Sequence, residues 1–159
     1  RAGQGGVSSN TAVVAVLGSG ELLAAALPEG SRNRRVGDRV TVPVVLDMSR
    51  AASPGDLGAL ELEVGYDAAS LALKSTTPGI VGSISEGGTP GRYRFAFASS
   101  SPIAATRLTI VTLEFEVTAT ARPGNNLSLT LTFPSAPAST GFAAYPQPVV
   151  VNGGVSIVN

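Results

Sequence analysis

The fold is decided by residues 36–73, which read VGDRVTVPVVLDMSRAASPGDLGALELEVGYDAASLAL. In the first half of this stretch every second residue from Val40 to Leu46 is apolar, and in the second half the same holds from Leu60 to Tyr66. Alternation with a period of two is typical of strands that have one buried face. The Ser-Pro-Gly-Asp segment at 53–56 favours a turn between the halves. The stretch therefore predicts two strands that share a core.

The same alternation recurs along the rest of the chain. It predicts strands near residues 92–98, 107–118 and 127–133. Unbroken apolar runs predict shorter strands at 22–27, where a helix of about two turns would be only marginally stable, and after 149. The apolar phase slips between Ile110 and Leu113, which predicts a β-bulge or a bend. These elements predict an all-β fold, a two-sheet antiparallel β-sandwich or jelly roll of about nine strands.

Three local features refine that prediction. Pro43 has no N–H to donate, so its strand is expected to be an edge strand or to carry a bulge there. Residues 86–91 (EGGTPG) are expected to form a hairpin loop, and Ser99 to Pro102 another loop.

Composition excludes several functional classes. The chain has 159 residues, eleven basic and eleven acidic, and contains no histidine and no cysteine. Disulfides, thiolate chemistry, imidazole zinc sites and histidine-dependent triads are therefore excluded. Balanced charge gives no footprint for nucleic acid, and no apolar run approaches the ~20 residues that would insert into a membrane.

The carboxylates do not predict an active site. Glu61 and Glu63, like Glu114 and Glu116, alternate with core residues and are expected on solvated sheet faces, so no enzyme and no cofactor are predicted. Asp47, Asp56 and Asp67 would supply calcium ligands if they met at one end of the sandwich. Turn formation is the commoner role of such aspartates, so calcium binding has no support beyond that.

Three segments together resemble the cohesin domain, a β-sandwich that docks dockerins. They are residues 36–49 (VGDRVTVPVVLDMS), 60–71 (LELEVGYDAASL) and 92–119, and the resemblance spans about residues 22–158. It implies a non-catalytic, extracellular or cell-surface module that binds another protein. Where cohesins often carry acidic loop residues, this chain has Ala98-Ser99-Ser100-Ser101.

The resemblance also implies where a partner would bind: one outward sheet face together with the 98–102 loop. The residues expected there are Arg92, Arg94, Glu61, Glu63, Ser99 and Ser100.

Two other functions remain open. Residues 1–20 form a Gly/Ser-rich lead before the domain at 21–159, and they contain an apolar run that could be a donated strand: Ala12, Val13, Val14, Ala15, Val16 and Leu17. Pairing with its own domain would add one strand to an edge of that domain's sheet. Pairing with another copy would build a surface fibre or layer. A carbohydrate-binding module is the weaker alternative, for which only Phe142 and Tyr145 could offer exposed aromatics.

Overall fold

The computed structural model describes residues 20–159, and all regular elements among them are β-strands. In chain order the strands are β1 Leu23–Ala26, β2 Asn33–Arg34, β3 Arg39–Asp47, β4 Leu57–Gly65, β5 Leu71–Pro78, β6 Ser83–Thr89, β7 Arg92–Ile103, β8 Arg107–Val117, β9 Asn126–Thr132, β10 Ala138–Ser139, β11 Val149–Val151 and β12 Gly153–Ile157. None of the described residues forms a helix that could cross a membrane. The predicted apolar strand at 12–17 lies outside the described residues.

The strands form two sheets packed face to face, which confirms the predicted sandwich. One sheet has the order β11-β1-β3-β8-β5; the other has the order β2-β12-β9-β4-β7-β6, with β10 also paired to β4. Most strand pairs are antiparallel, as predicted, but both sheets are mixed, because β1 pairs with β11 and β2 with β12 in parallel. The first described strand of the five-stranded sheet thus lies beside one of the last.

The core consists of the alternating residues that the sequence predicts. In β3, Val40, Val42, Val44 and Leu46 are all fully buried, and in β4 the same phase buries Leu60, Leu62 and Val64. Phe95 of β7 and Phe115 of β8 are the largest fully buried side chains. Burial of apolar surface between the two sheets is therefore the main stabilising contribution to the fold.

The predicted bulge is present in β8. Val44 lies opposite Val111, but Val45 lies opposite Thr109, so Ile110 is the extra residue. Ile110 and Val111 are both buried as a result, and the apolar phase changes there.

Pro43 lies in an internal strand rather than at an edge, because β3 is flanked by β1 and β8. Leu27 N–H donates to the Pro43 carbonyl at 3.0 Å. Pro43 has no N–H to return, so the paired exchange of an antiparallel ladder is incomplete, and β1 ends one residue earlier at Ala26.

The predicted hairpin loop at 86–91 is shorter than expected. The prediction of a loop at 99–102 is wrong, because these residues lie within a strand. Strand β6 continues to Thr89, and β7 continues to Ile103. Ala98 pairs with Ala59 and Ile103 with Leu57, so residues 99–102 form a four-residue bulge within one strand. Ser101 N–H donates to Ser99 Oγ at 3.1 Å inside this bulge. The turn-forming residues distort the strand locally, while pairing on both sides keeps its direction.

Candidate protein-binding face

The outer face of the seven-stranded sheet brings together most of the predicted binding residues. We call the outward-facing positions of β9, β4, β7 and β6 the docking face: Thr130, Thr132, Ala59, Glu61, Glu63, Arg92, Arg94, Ala96, Ala98, Ser83, Ser85 and Gly87. Their orientation follows from alternation, because the residues between them in β4 and β7 are buried in the core.

One half of the docking face is charged. Glu63 lies directly opposite Arg94, and its Oε2 is 2.7 Å from Arg94 Nε. Its Oε1 is 3.7 Å from Arg92 Nε. The Glu63 side chain is 18% exposed, whereas those of Arg92 and Arg94 are 63% and 61% exposed. One well-covered carboxylate therefore holds two guanidinium groups that still face solvent.

The other half of the docking face is lined by small side chains. Cross-strand pairing places Ala96 between Glu61 and Ser85, and Ala98 between Ala59 and Ser83. These side chains leave a trough of about 450 Å³, closed on one side by Ser135 and Ala136. Sequence reasoning missed the trough, although the outward phase of the alanines in β7 was already visible.

Ser99 and Ser100 lie beside the trough rather than the charged half. They follow Ala98 directly in the four-residue bulge of β7, where Ser99 is half-buried and Ser100 is exposed. Glu61 lies between the two halves and accepts a hydrogen bond from Ser135 Oγ at 3.2 Å. All six predicted residues are thus on or next to one surface.

Residues 26–157 match the family model of the cohesin domain. This chain belongs to the cohesin family. A search among curated proteins found no match.

Solved structures share the fold of this cohesin at low sequence identity. The third ScaC cohesin of Acetivibrio cellulolyticus, solved with the ScaB dockerin, has a TM-score of 0.71 and 16% identity, over 87% of this chain and 99% of that one. The OlpA cohesin of Clostridium thermocellum, solved with a dockerin, has a TM-score of 0.70 and 18% identity over the same shares. A non-cellulosomal cohesin from the archaeon Archaeoglobus fulgidus has a TM-score of 0.69 and 18% identity, over 87% of this chain and 92% of that one.

An exposed aromatic side chain lies in the turn that follows β10. Phe142 is 89% exposed and has a φ of 65°, in a turn that follows β10 beside β4. Phe142 N–H donates to the Ser139 carbonyl at 3.0 Å, and Thr140 Oγ1 donates to Asp56 at 2.7 Å. The turn therefore holds a large apolar side chain in water, on a left-handed backbone that disfavours non-glycine residues.

Replacing Phe142 by glycine is expected to raise the free energy of unfolding by about 0.5–1 kcal/mol, because glycine adopts the left-handed region without steric cost. Phe142→Ala is the matched control, since it removes the ring but keeps the strained backbone. Chemical denaturation of both variants checks this. A glycine variant no more stable than the alanine variant would contradict it.

Tyr145 does not join Phe142 in an aromatic platform. It is 8% exposed, and its hydroxyl donates to the Ser53 carbonyl at 2.8 Å. Burial, and secondarily the charge of Asp56, raise the pKa of the Tyr145 hydroxyl. The prediction of Tyr145 as an exposed aromatic is wrong, which removes half of the basis for carbohydrate binding.

The three aspartates considered as calcium ligands each accept a hydrogen bond within the protein: two from nearby backbone and one, Asp56, from a distant side chain. Asp47 accepts from Ser49 N–H at 2.9 Å, Asp67 from Ala69 N–H at 3.0 Å, and Asp56 from Thr140. Hydrogen bonding from Ser49, with a smaller contribution from the Arg107 charge, lowers the pKa of the Asp47 carboxyl. Within residues 20–159 no three acidic residues are grouped so that they could hold a metal ion.

The second pair of glutamates also faces solvent, on the outer face of the five-stranded sheet. Arg39 Nη1 is 2.8 Å from Glu114 Oε1, and Arg39 Nε is 3.3 Å from Glu116 Oε2. This arrangement mirrors the Glu63 cluster on the opposite side of the molecule, and it provides a matched control for charge substitutions.

Proposed function

We propose that this cohesin is a non-catalytic interaction module that binds a dockerin-type partner on its docking face. The observation that carries the proposal is the combination on one sheet of a small-residue trough and a charged patch beside it. Flat sheet faces filled by long polar side chains offer little to a partner, whereas a trough accepts a ridge of side chains. Similar cohesins have been solved in complex with dockerins.

The chemistry of the docking face indicates what the partner carries. The trough between Ala59, Ala96 and Ala98 suits small apolar side chains presented at i, i+3 and i+4 by a helix. The exposed guanidinium groups of Arg92 and Arg94 suit a carboxylate or helix C-terminus beside that ridge. Burial in the trough supplies most of the affinity, and the charged half selects the partner and its orientation.

A double charge exchange tests the site. Arg94→Glu alone is expected to weaken binding about 10- to 100-fold, because it removes a guanidinium and places two carboxylates side by side. Glu63→Arg combined with Arg94→Glu restores an ion pair and keeps the net charge of the face, but it puts a carboxylate where the exposed guanidinium of Arg94 stood, so binding remains weak.

The matched control is Arg39→Glu combined with Glu114→Arg on the opposite sheet, which should bind as wild type. Titration calorimetry against a panel of purified dockerins gives the affinities. If the exchanged Glu63/Arg94 variant binds like wild type, the site is wrong. If wild type binds no dockerin, the partner class is wrong.

An extracellular or cell-surface location is part of the proposal, because a docking module acts where its partner is displayed. Fractionation of cells followed by protease treatment of intact cells checks this: the protein should be in the medium or degraded at the surface, and protection inside the cell would contradict it.

A second candidate function, a subunit of a surface fibre or layer built by strand addition, has support from one observation. Strand β6 is a seven-residue sheet edge without lysine, arginine or proline. Its one charged residue, Glu86, accepts hydrogen bonds from Thr76 and Tyr93. The other long edge, β5, contains Lys74 and Pro78, which discourage strand pairing. An added strand would therefore pair with β6.

A further inference from the structure

An apolar cleft opens at one end of the sandwich, next to the trough but without a shared lining residue. We call it the end cleft; it has a volume of about 750 Å³ and lies between residues 79–82, the end of β7 and the start of β8. Its apolar lining is Ile80, Val81, Pro102, Ile103, Ala105 and Leu108, and its one charged lining residue is Arg107. Val81 is 89% exposed. Apolar surface of this kind on a folded domain is typical of a site that something covers.

The end cleft is preformed because two glycines fix the 79–82 loop against the sheet. A Cβ on Gly79 would lie 2.2 Å from the Thr109 carbonyl oxygen, and one on Gly82 would lie 2.4 Å from the Phe97 ring. Gly79 N–H also donates to the Ile110 carbonyl at 2.9 Å. The loop cannot collapse into the cleft without breaking these contacts.

The start of β1 lies at the same end of the sandwich. Gly20 N–H donates to the Arg50 carbonyl, and Met48 N–H donates to the Thr106 carbonyl, each at 2.6 Å. Thr106 sits between two lining residues of the end cleft. The cleft is on the β5 side of the sheet, three strand spacings from β1, which is about 14 Å. An extended chain covers that distance in about five residues.

The chain that leads into Gly20 has the matching chemistry. Residues 12–17 read AVVAVL and carry neither charge nor hydrogen-bonding side chain, and Gly18-Ser19 follow them. We infer that the first part of this run, Ala12–Ala15, docks in the end cleft of its own chain and covers Val81 and Ile103, with residues 16–19 spanning the distance from Gly20. The short connection makes the effective concentration of the segment at its own cleft about millimolar or higher, which favours the cleft of the same molecule over that of another copy.

This docking is distinct from partner binding, because the end cleft and the trough share no lining residue. The bulge at 99–102 lies between them, since Ser99 and Ser101 line the end cleft and Ala98 lines the trough. The docked segment would brace the bulge that borders the docking face.

Cross-linking in the full chain tests the inference cleanly, because the protein contains no cysteine. Val14→Cys combined with Val81→Cys, treated with a short bismaleimide, should give an internally cross-linked monomer, identified by intact mass and peptide mapping. The matched control is Val14→Cys with Val36→Cys, since Val36 is an exposed valine (52%) before β3, at the opposite end of the sandwich.

Two results would overturn the inference. Monomer cross-linking no faster than in the Val36 control would show that the segment does not occupy the cleft. A covalent dimer would show that a second copy supplies it, which would favour the fibre function instead.

A thermodynamic cycle gives an independent readout. Val14→Asp and Val81→Asp should each lower Tm by several degrees, and the double variant should melt no lower than the worse single variant, because both break one contact. Val14→Asp with Val36→Asp should be additive. Additive effects at Val14 and Val81 would contradict the docking.

Discussion

Replacing Phe115 by alanine is expected to lower the free energy of unfolding by about 3–5 kcal/mol. Phe115 is fully buried in β8, an internal strand paired to β3 and β5. Its ring makes an edge-to-face contact with Tyr66 at a centroid distance of 4.9 Å. Truncation removes the burial of the ring, loses the aromatic contact and leaves a cavity between two sheets that cannot close around it. Equilibrium urea denaturation measures the change.

Two control variants show whether the lost stability comes from packing in the core. One removes a phenylalanine ring at an exposed position, and the other removes an outward side chain from the same strand. Phe142→Ala makes the same substitution at an exposed position and should change stability by about 0.5 kcal/mol or less. Glu114→Ala changes the neighbouring, outward residue and removes a surface ion pair worth about 1 kcal/mol or less. Equal losses at Phe115 and Glu114 would mean that the inward and outward faces of β8 have been assigned the wrong way round.

Replacing Ala98 by tryptophan is expected to weaken partner binding by at least about 100-fold, or ~2.7 kcal/mol. Ala98 is exposed and lines the trough between Ala59 and Ser83. An indole there fills the space into which the partner's side chains would pack, and the rigid sheet below it cannot yield. The fold should be retained, because the added ring points into solvent.

The control for filling the trough is Thr112→Trp. It places the same ring on the outer face of the five-stranded sheet, between Pro43 and Thr77. Surface plasmon resonance with an immobilised dockerin compares the two variants. Binding by Ala98→Trp at wild-type strength would contradict the trough as the docking site, as would equal weakening by Thr112→Trp.

The strands and their phases were predictable because every second residue of a strand faces the core, and in this chain those residues are apolar. The bulge at Ile110 was predictable for the same reason, since an extra residue must shift the phase. The placement of Pro43 in an internal strand was not, because which strands become neighbours depends on contacts between distant residues. The bulge at 99–102 was likewise hidden, because pairing of Ile103 with Leu57 restores the strand beyond it.

The candidate site also has a part that the sequence predicted and a part that it did not. The charged half was predicted, since strand phase places Glu63 and Arg94 outward and the family resemblance indicates that such a face binds. The trough depends on which small residues lie side by side, and that register is set across three strands. Tyr145 was misassigned because its hydrogen-bond partner, the Ser53 carbonyl, is 92 residues away in the chain.

The parallel pairing of β1 with β11 has a mechanical consequence. The three paired residues Leu23, Ala24 and Ala25 run in the same direction as Val149, Val150 and Val151. Tension applied along the chain on either side of the domain pulls β1 backwards and, through β12, which follows after one residue, pulls β11 forwards. The pair β1 and β11 is then loaded lengthwise. Their interstrand hydrogen bonds then bear the force together rather than opening one at a time. A domain tethered in this way should resist pulling better than its modest size suggests.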